Sequence, residues 1–192
     1  MGTANILEAA RSVGGVKGIM CMESDKSYGS FEKNNLPYKE TDAINPTNVY
    51  EISKACSGLI ANAYSNNYDM PVFTVRAANL YGPGDMNMSR LIPGSILRML
   101  DGNNPVLYSG VANYVREFLF VEDASNASIK LMENIEKTRA NVFNIGSNSV
   151  HTISDVMDAI IEKMPQKLSV EIVEKDLLFK EIEEQYVDSS KL

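Results

Sequence analysis

Histidine is almost missing from this sequence: His151 is the only one in 192 residues. A multi-histidine metal centre is therefore excluded, and no metal site is expected. Cysteine is nearly as scarce. Cys21 and Cys56 lie in apolar stretches without C-x-x-C spacing, which reads as two reduced core thiols rather than a disulfide or a zinc site. No apolar run reaches the ~18 residues that a transmembrane helix needs. The first residues, Met1-Gly2-Thr3-Ala4-Asn5, carry no signal-peptide pattern. The expected compartment is the cytoplasm, with no membrane partner. Positive charge is in deficit, 18 Lys and Arg against 25 Asp and Glu, for a net charge of −7. That disfavours nonspecific binding to nucleic acid or to an anionic membrane surface. It leaves room for an anionic ligand, because a few well-placed arginines can hold a phosphate inside an acidic protein. Finally, no Gly-x-Gly-x-x-Gly or Gly-x-x-Gly-x-x-Gly occurs; Gly14-Gly15 follows a helical stretch rather than a strand. The loop whose amides and following helix N-terminus would hold a dinucleotide pyrophosphate is not here.

What is present suits a globular protein: 44% hydrophobic and 22% charged residues, enough to bury a core. The apolar periodicity alternates. A helix carries Ile6, Leu7, Ala9 and Ala10 and stops at Gly14-Gly15; Lys17 to Met22 reads as a buried strand. Thr47 or Asn48 caps a second helix running to about Tyr68, and Pro71 to Arg76 is a second strand. Asn79 to Asp85 reads as a turn-rich loop. Helices follow over Leu91 to Leu100, Glu122 to Asn134 and Ile153 to Met164, where Thr152 or Ser154 caps and His151 has no assigned role. Strands follow over Glu117 to Val121, Val142 to Ile145 and Val170 to Val173. Strand and helix in alternation predict a parallel α/β sheet. In such sheets ligands sit beyond the carboxyl ends of the strands, where the loops Ser24 to Gly29 and Asn79 to Asp85 fall.

The chemical signal is strongest in Tyr50-Glu51-Ile52-Ser53-Lys54. Positions i and i+4 share a helix face, so Tyr50 and Lys54 point the same way. An ammonium near a phenol favours the phenolate, which makes tyrosine usable as a base near neutral pH. Alone, this spacing equally describes a surface pair beside a core tyrosine. Ser24, after an apolar strand, can hydrogen-bond a substrate hydroxyl that Tyr50 deprotonates.

These segments together resemble the extended short-chain dehydrogenase/reductases, the NAD-dependent nucleotide-sugar epimerases and dehydratases. The likeness runs through Gly2-Thr3-x-Asn5-Ile6-Leu7-Glu8-Ala9-Ala10-Arg11, Ser24-Asp25-Lys26-x-Tyr28-Gly29 and Tyr50-x-x-Ser53-Lys54. It continues in Arg76-x-x-Asn79-x-Tyr81-Gly82-Pro83-Gly84-Asp85, Arg90-Leu91-Ile92-Pro93, Arg116 to Ala124, Phe143 to Ser147 and Asp188-Ser189-Ser190-Lys191. The resemblance implies a partial Rossmann-like parallel sheet with Ser24, Tyr50 and Lys54 in residues 1–85. It implies a small α/β sugar-nucleotide-binding region in 86–192, with segments returning to the sheet. Tyr50 is then the base on the sugar 4-hydroxyl, Lys54 holds the nicotinamide ribose, and Ser24 completes the triad. Asn79, Arg90, Arg116 and Asn144 would contact the substrate, arginine because its planar fork matches phosphate oxygens.

Within the family, the triplet Ser24-Asp25-Lys26 looks most like the CDP-glucose 4,6-dehydratases. Asp25 would protonate the leaving 6-hydroxyl and Lys26 would move the C5 proton, for which it needs a lowered pKa; the other reading of Lys26 is a solvated side chain. Glu23 departs from the small residue usual before the serine, and a carboxylate there is expected to disturb the site. The resemblance also implies that the first strands and the glycine-rich NAD loop are not in this chain. The Lys17 to Met22 strand is then an unpaired apolar edge, and NAD binding by this chain alone is weak. A homodimer or a complementing N-terminal chain would be its partner. A nucleotide-sugar 4-epimerase and a non-catalytic sugar-nucleotide-binding fragment are the alternatives.

Overall fold

A computed structural model of the protein describes residues 1–174 and 181–192. Its architecture is mixed α/β, built on parallel strands. α1 (Gly2–Val13) ends where Gly14 takes φ 71°, a backbone turn that glycine adopts without the Cβ penalty. β1 (Ile19–Met22) leads into a single 3₁₀ turn over Asp25–Tyr28. α2 (Val49–Tyr68) starts from a reciprocal cap. The Asn48 side chain accepts from the Glu51 amide at 3.0 Å, while the Glu51 carboxylate accepts from the Asn48 amide at 3.3 Å. β2 (Val72–Ala77) is buried along its whole length.

β1, β2 and β6 (Val142–Ile145) form a three-stranded parallel sheet in the order β1-β2-β6. β2 alternates between two cores, as a strand covered on both faces must. Val72 packs with Leu7, Ala61 and Met70 of the α1–α2 layer. Phe73 and Val75 pack with Leu119, Phe143, Ile145 and Leu131, the last from α4 (Val121–Glu133). Among the described residues β1 pairs only with β2, so its other edge is open there.

A second sheet joins β3 (Asn79–Tyr81), β5 (Val115–Phe120) and β7 (Val150–Thr152), with β9 (Glu184–Gln185) also on β5. β4 (Val106–Tyr108) and β8 (Glu171–Val173) pair in parallel. α3 (Leu91–Leu100), the single turn α5 (Ile135–Thr138) and α6 (Ile153–Glu162, capped by Thr152) complete the described elements.

Two expectations need correction. Asn79 to Asp85 is not all loop: its first three residues form β3, drawn into a ladder with Phe118 to Phe120. Cys56 is not a core thiol but is exposed on α2; Cys21 is half-buried, and burial pushes its thiol up to about 11, so it is inert. Among the described residues, no helix is long and apolar enough to cross a membrane, and no group of metal-binding side chains exists.

Candidate active site

A cavity of about 550 Å³ opens beyond the carboxyl ends of β1 and β2. The loop after β1 supplies Ser24, Asp25 and Lys26 to its wall, and the first turns of α2 supply Tyr50 and Lys54. β3 supplies Asn79, the start of α3 supplies Arg90, and β5 supplies Arg116. Eight of the nine residues singled out from sequence thus share one cavity. Asn144 does not. It is fully buried on β6, where it accepts from the Tyr28 hydroxyl at 2.8 Å and donates to the Tyr38 carbonyl at 2.9 Å. Its side chain ties the loop after β1 to the sheet instead of facing the cavity.

Tyr50 is half-exposed at the cavity mouth, and its phenol has no hydrogen-bond partner among the described residues. The Lys54 ammonium lies 6.0 Å from the Tyr50 ring centroid and donates to the Met22 carbonyl at 3.4 Å. Opposite, Ser24 accepts from the Lys26 amide at 3.2 Å and its hydroxyl donates to Asp25 Oδ1 at 3.1 Å. Asp25 is 3% exposed, and its Oδ2 is buried with no partner. Desolvation pushes its carboxyl up to about 6, against the opposing pull of Lys26 and of the Ser24 hydrogen bond. An acid in this state is about one tenth protonated at pH 7, roughly a hundredfold more than an ordinary aspartate.

Glu23 behaves otherwise than expected. Its side chain is fully buried and forms an ion pair with Arg76 of β2, Oε2 to Nε 3.1 Å. The contact is too poorly aligned to count as a hydrogen bond, so the carboxylate oxygens lack hydrogen-bond partners. Burial raises the Glu23 carboxyl, and the Arg76 charge opposes that rise. The Arg76 guanidinium also lies 4.6 Å from the Tyr28 ring centroid, and Tyr28 stacks on Tyr38 at 4.8 Å. The Glu23 charge is therefore matched beneath the site rather than loose within it. Sequence reading missed this partner, although an arginine inside a fully buried strand was a signal that a buried acid faces it.

A second cavity, about 430 Å³, abuts the first and shares Arg90, Leu91, Arg116, Ile153 and Glu181 with it. Arg90 is exposed and pairs with Asp85 at 3.0 Å. The Asn87 amide and Arg90 hold the Asp85 carboxyl below its ordinary range. Arg116 is 5% exposed. Its Nη1 donates to the carbonyls of Val115 (2.9 Å) and Glu183 (3.0 Å), and its Nη2 donates to Ile182 O and to Glu181 Oε2, the latter at 3.2 Å. Glu181 carried no sequence signal, because its contact with Arg116 spans 65 positions.

Comparison with known proteins gives this arrangement a context. Residues 1–146 match the NAD dependent epimerase/dehydratase family. The chain is 31% identical over 160 residues to the trifunctional UDP-glucose 4,6-dehydratase/UDP-4-keto-6-deoxy-D-glucose 3,5-epimerase/UDP-4-keto-L-rhamnose-reductase of Arabidopsis thaliana, covering 83% of this chain and 24% of that protein. It is 34% identical over 116 residues to the CDP-glucose 4,6-dehydratase of Salmonella typhimurium, covering 56% and 32%. The dTDP-glucose 4,6-dehydratase of Bacillus anthracis, solved with NAD, superposes with a TM-score of 0.87 at 28% identity, over 99% of this chain and 58% of that one. The chain thus spans roughly a quarter to just over half the length of these proteins.

Proposed function

The chain belongs to the NAD-dependent epimerase/dehydratase family, and from that premise we propose that it carries the reaction centre of a nucleotide-sugar 4,6-dehydratase, with CDP-glucose the first substrate to test. One observation carries the choice of reaction. Asp25 lines the cavity beside Ser24, its carboxyl keeps one buried oxygen unpaired, and burial pushes it up to about 6. Dehydration needs an acid that delivers a proton to a departing hydroxyl; epimerisation at C4 needs none.

The hexose lies between Tyr50 and the Ser24–Lys26 loop, and its diphosphate reaches toward Arg90 and Arg116 where the two cavities join. Tyr50 takes the proton from the sugar 4-hydroxyl, with the Lys54 ammonium 6.0 Å from its ring centroid. Ser24 Oγ keeps an acceptor position for a sugar hydroxyl while it holds Asp25. Once C4 is a ketone, the C5 proton is acidic; Lys26 stands on the same wall to move it, and Asp25 protonates the leaving 6-hydroxyl.

NAD, when bound, supplies the hydride acceptor and donor for this chemistry. Tyr50, with its free phenol, and Lys54, with one N–H spent on Met22, fit the nicotinamide-ribose end at the cavity mouth. Among residues 1–192 no glycine-rich loop fits the pyrophosphate. We place that cradle on polypeptide pairing with the open edge of β1, either a complementing N-terminal chain or a segment of a longer one, in a cytoplasmic assembly that includes homodimers. The absence of the loop also favours a second reading, a sugar-nucleotide-binding fragment without catalysis.

The test is calorimetry of the complemented protein with CDP-glucose, with and without NAD, followed by an assay for the 4-keto product. Binding that NAD strengthens, and a 4-keto product lost on Asp25→Asn, are expected. Sugar-nucleotide binding indifferent to NAD would favour the fragment reading, and an Asp25→Asn protein that still interconverts C4 epimers would favour the epimerase.

A further inference from the structure

Each arginine facing the joined cavities is already paired with a carboxylate. Arg90 holds Asp85, Arg98 reaches Glu171 at 3.7 Å, and Arg116 holds Glu181. The third pair differs in its surroundings. The Arg116 side chain is 7% exposed, so solvent does little to weaken the contact, whereas the Arg90 side chain is 57% exposed and freely screened. Glu181 itself is 32% exposed and borders both cavities, at the place where a ligand spanning them must pass.

The donor count sharpens this. A guanidinium has five N–H groups in a fixed fork. Both Nη1 hydrogens are spent on the carbonyls of Val115 and Glu183, and both Nη2 hydrogens on Ile182 O and the Glu181 carboxylate. Only Nε–H is left. A phosphate gripped in the bidentate way needs Nε together with Nη2, and the carbonyl contacts come from backbone, which cannot leave without undoing the β5–β9 pairing. The Glu181 carboxylate is the one partner that can swing away on its own side chain. It is also an anion occupying an anion's position.

We propose that Glu181 is a specificity-determining residue that competes with the ligand's phosphates for Arg116: binding exchanges the Arg116–Glu181 ion pair for an Arg116–phosphate pair. This rests on the reading that the joined cavities take a nucleoside diphosphate. Glu181 then taxes every ligand that takes Arg116 by the same contact and repels any anion too weak to displace it. A diphosphate, which engages Arg90 and Arg116 together, displaces Glu181 more readily than a single phosphate does.

The experiment compares the chain with its Glu181→Gln variant, a change that keeps shape and removes charge. Binding of CDP, UDP, inorganic pyrophosphate, cytidine and uridine is measured by calorimetry. In Glu181→Gln, both nucleoside diphosphates and pyrophosphate should bind about tenfold more tightly, the size of one charge-assisted hydrogen bond. The two nucleosides should bind as before. In an Arg116→Met background the gain should vanish. Unchanged or weaker diphosphate binding in Glu181→Gln overturns the proposal, as does a gain that survives Arg116→Met, which would be general charge repulsion. If the unaltered chain and the variant both ignore every diphosphate, the proposal falls together with the reading beneath it, a result distinguishable because binding to the unaltered chain is then missing.

Discussion

Asp25 shows what a single buried acid does to both chemistry and stability. Its carboxyl is held at about 6, against roughly 4 for an ordinary aspartate. The folded chain therefore keeps a proton that the unfolded chain gives up first. Between about pH 4 and pH 6 the folded state binds more protons, so stability falls as pH rises and the loss is complete above that window. Two units correspond to about 3 kcal/mol. Asp25→Asn removes this penalty, so relative to the unaltered chain it should gain about 3 kcal/mol between pH 4 and pH 8, read by urea denaturation. An equal difference at both pH values would show that the carboxyl is not held protonated. Glu23 and Arg76 make the complementary case. Arg76→Leu strands a buried carboxylate and should cost about 3–5 kcal/mol, while Glu23→Leu with Arg76→Leu should recover most of that loss; thermal and urea melts of both variants check it. Residue types were legible in the sequence here, and partners were not. Tyr50 and Lys54 stood out by spacing, Ser24 by its place after an apolar strand, and Asp25 through the family resemblance. The ion pair that neutralises Glu23 and the hydrogen bonds that bury Asn144 join positions 53 and 116 apart or in separate strands, which no local pattern records.

At the scale of elements, legibility followed length and local chemistry. α2 and its Asn48 cap, α3 and β6 were readable because periodicity, capping residues and apolar runs agree over many positions. β3, β4, β7 and β9 are two or three residues long and exist because a neighbouring strand completes their hydrogen bonds. Tertiary pairing of that kind leaves no period in the sequence. α2 also carries an element-scale prediction. Gly58 lies inside this helix, where alanine ordinarily stabilises by about 1 kcal/mol. Here a Cβ at position 58 would come within 2.1 Å of Glu23 Oε2, a carboxylate fixed by its ion pair. Gly58→Ala should therefore destabilise the chain, by about 1–3 kcal/mol, and should turn neutral or stabilising once Glu23 is replaced by alanine. Thermal melts of the two single variants and the double variant give the coupling. Additivity of the two changes would mean that Glu23 does not fill the space under the helix.

For the whole molecule, the decisive feature is the open edge of β1. Both faces of the β1-β2-β6 sheet are covered by helices, yet among the described residues β1 has a strand on one side only. An unpaired edge leaves N–H and C=O groups seeking partners, and natural sheets cover, blunt or pair it. The proposed reaction centre sits at the carboxyl end of this same edge strand, with Ser24 two residues beyond Met22 and Lys54 bonded to the Met22 carbonyl. Completing the edge and completing the NAD site are therefore one event: a strand laid against β1 would bring whatever loop follows it to the mouth where Tyr50 and Lys54 wait. Residues 1–192, purified alone, should accordingly give no measurable 4-keto product from CDP-glucose with added NAD. Coexpression with a polypeptide carrying a strand, a glycine-rich loop and a helix should restore turnover and protect the β1 amides from hydrogen exchange. Product formed by residues 1–192 alone would show that the nicotinamide end of the site suffices, and the proposed division of NAD binding between two stretches of polypeptide would be wrong.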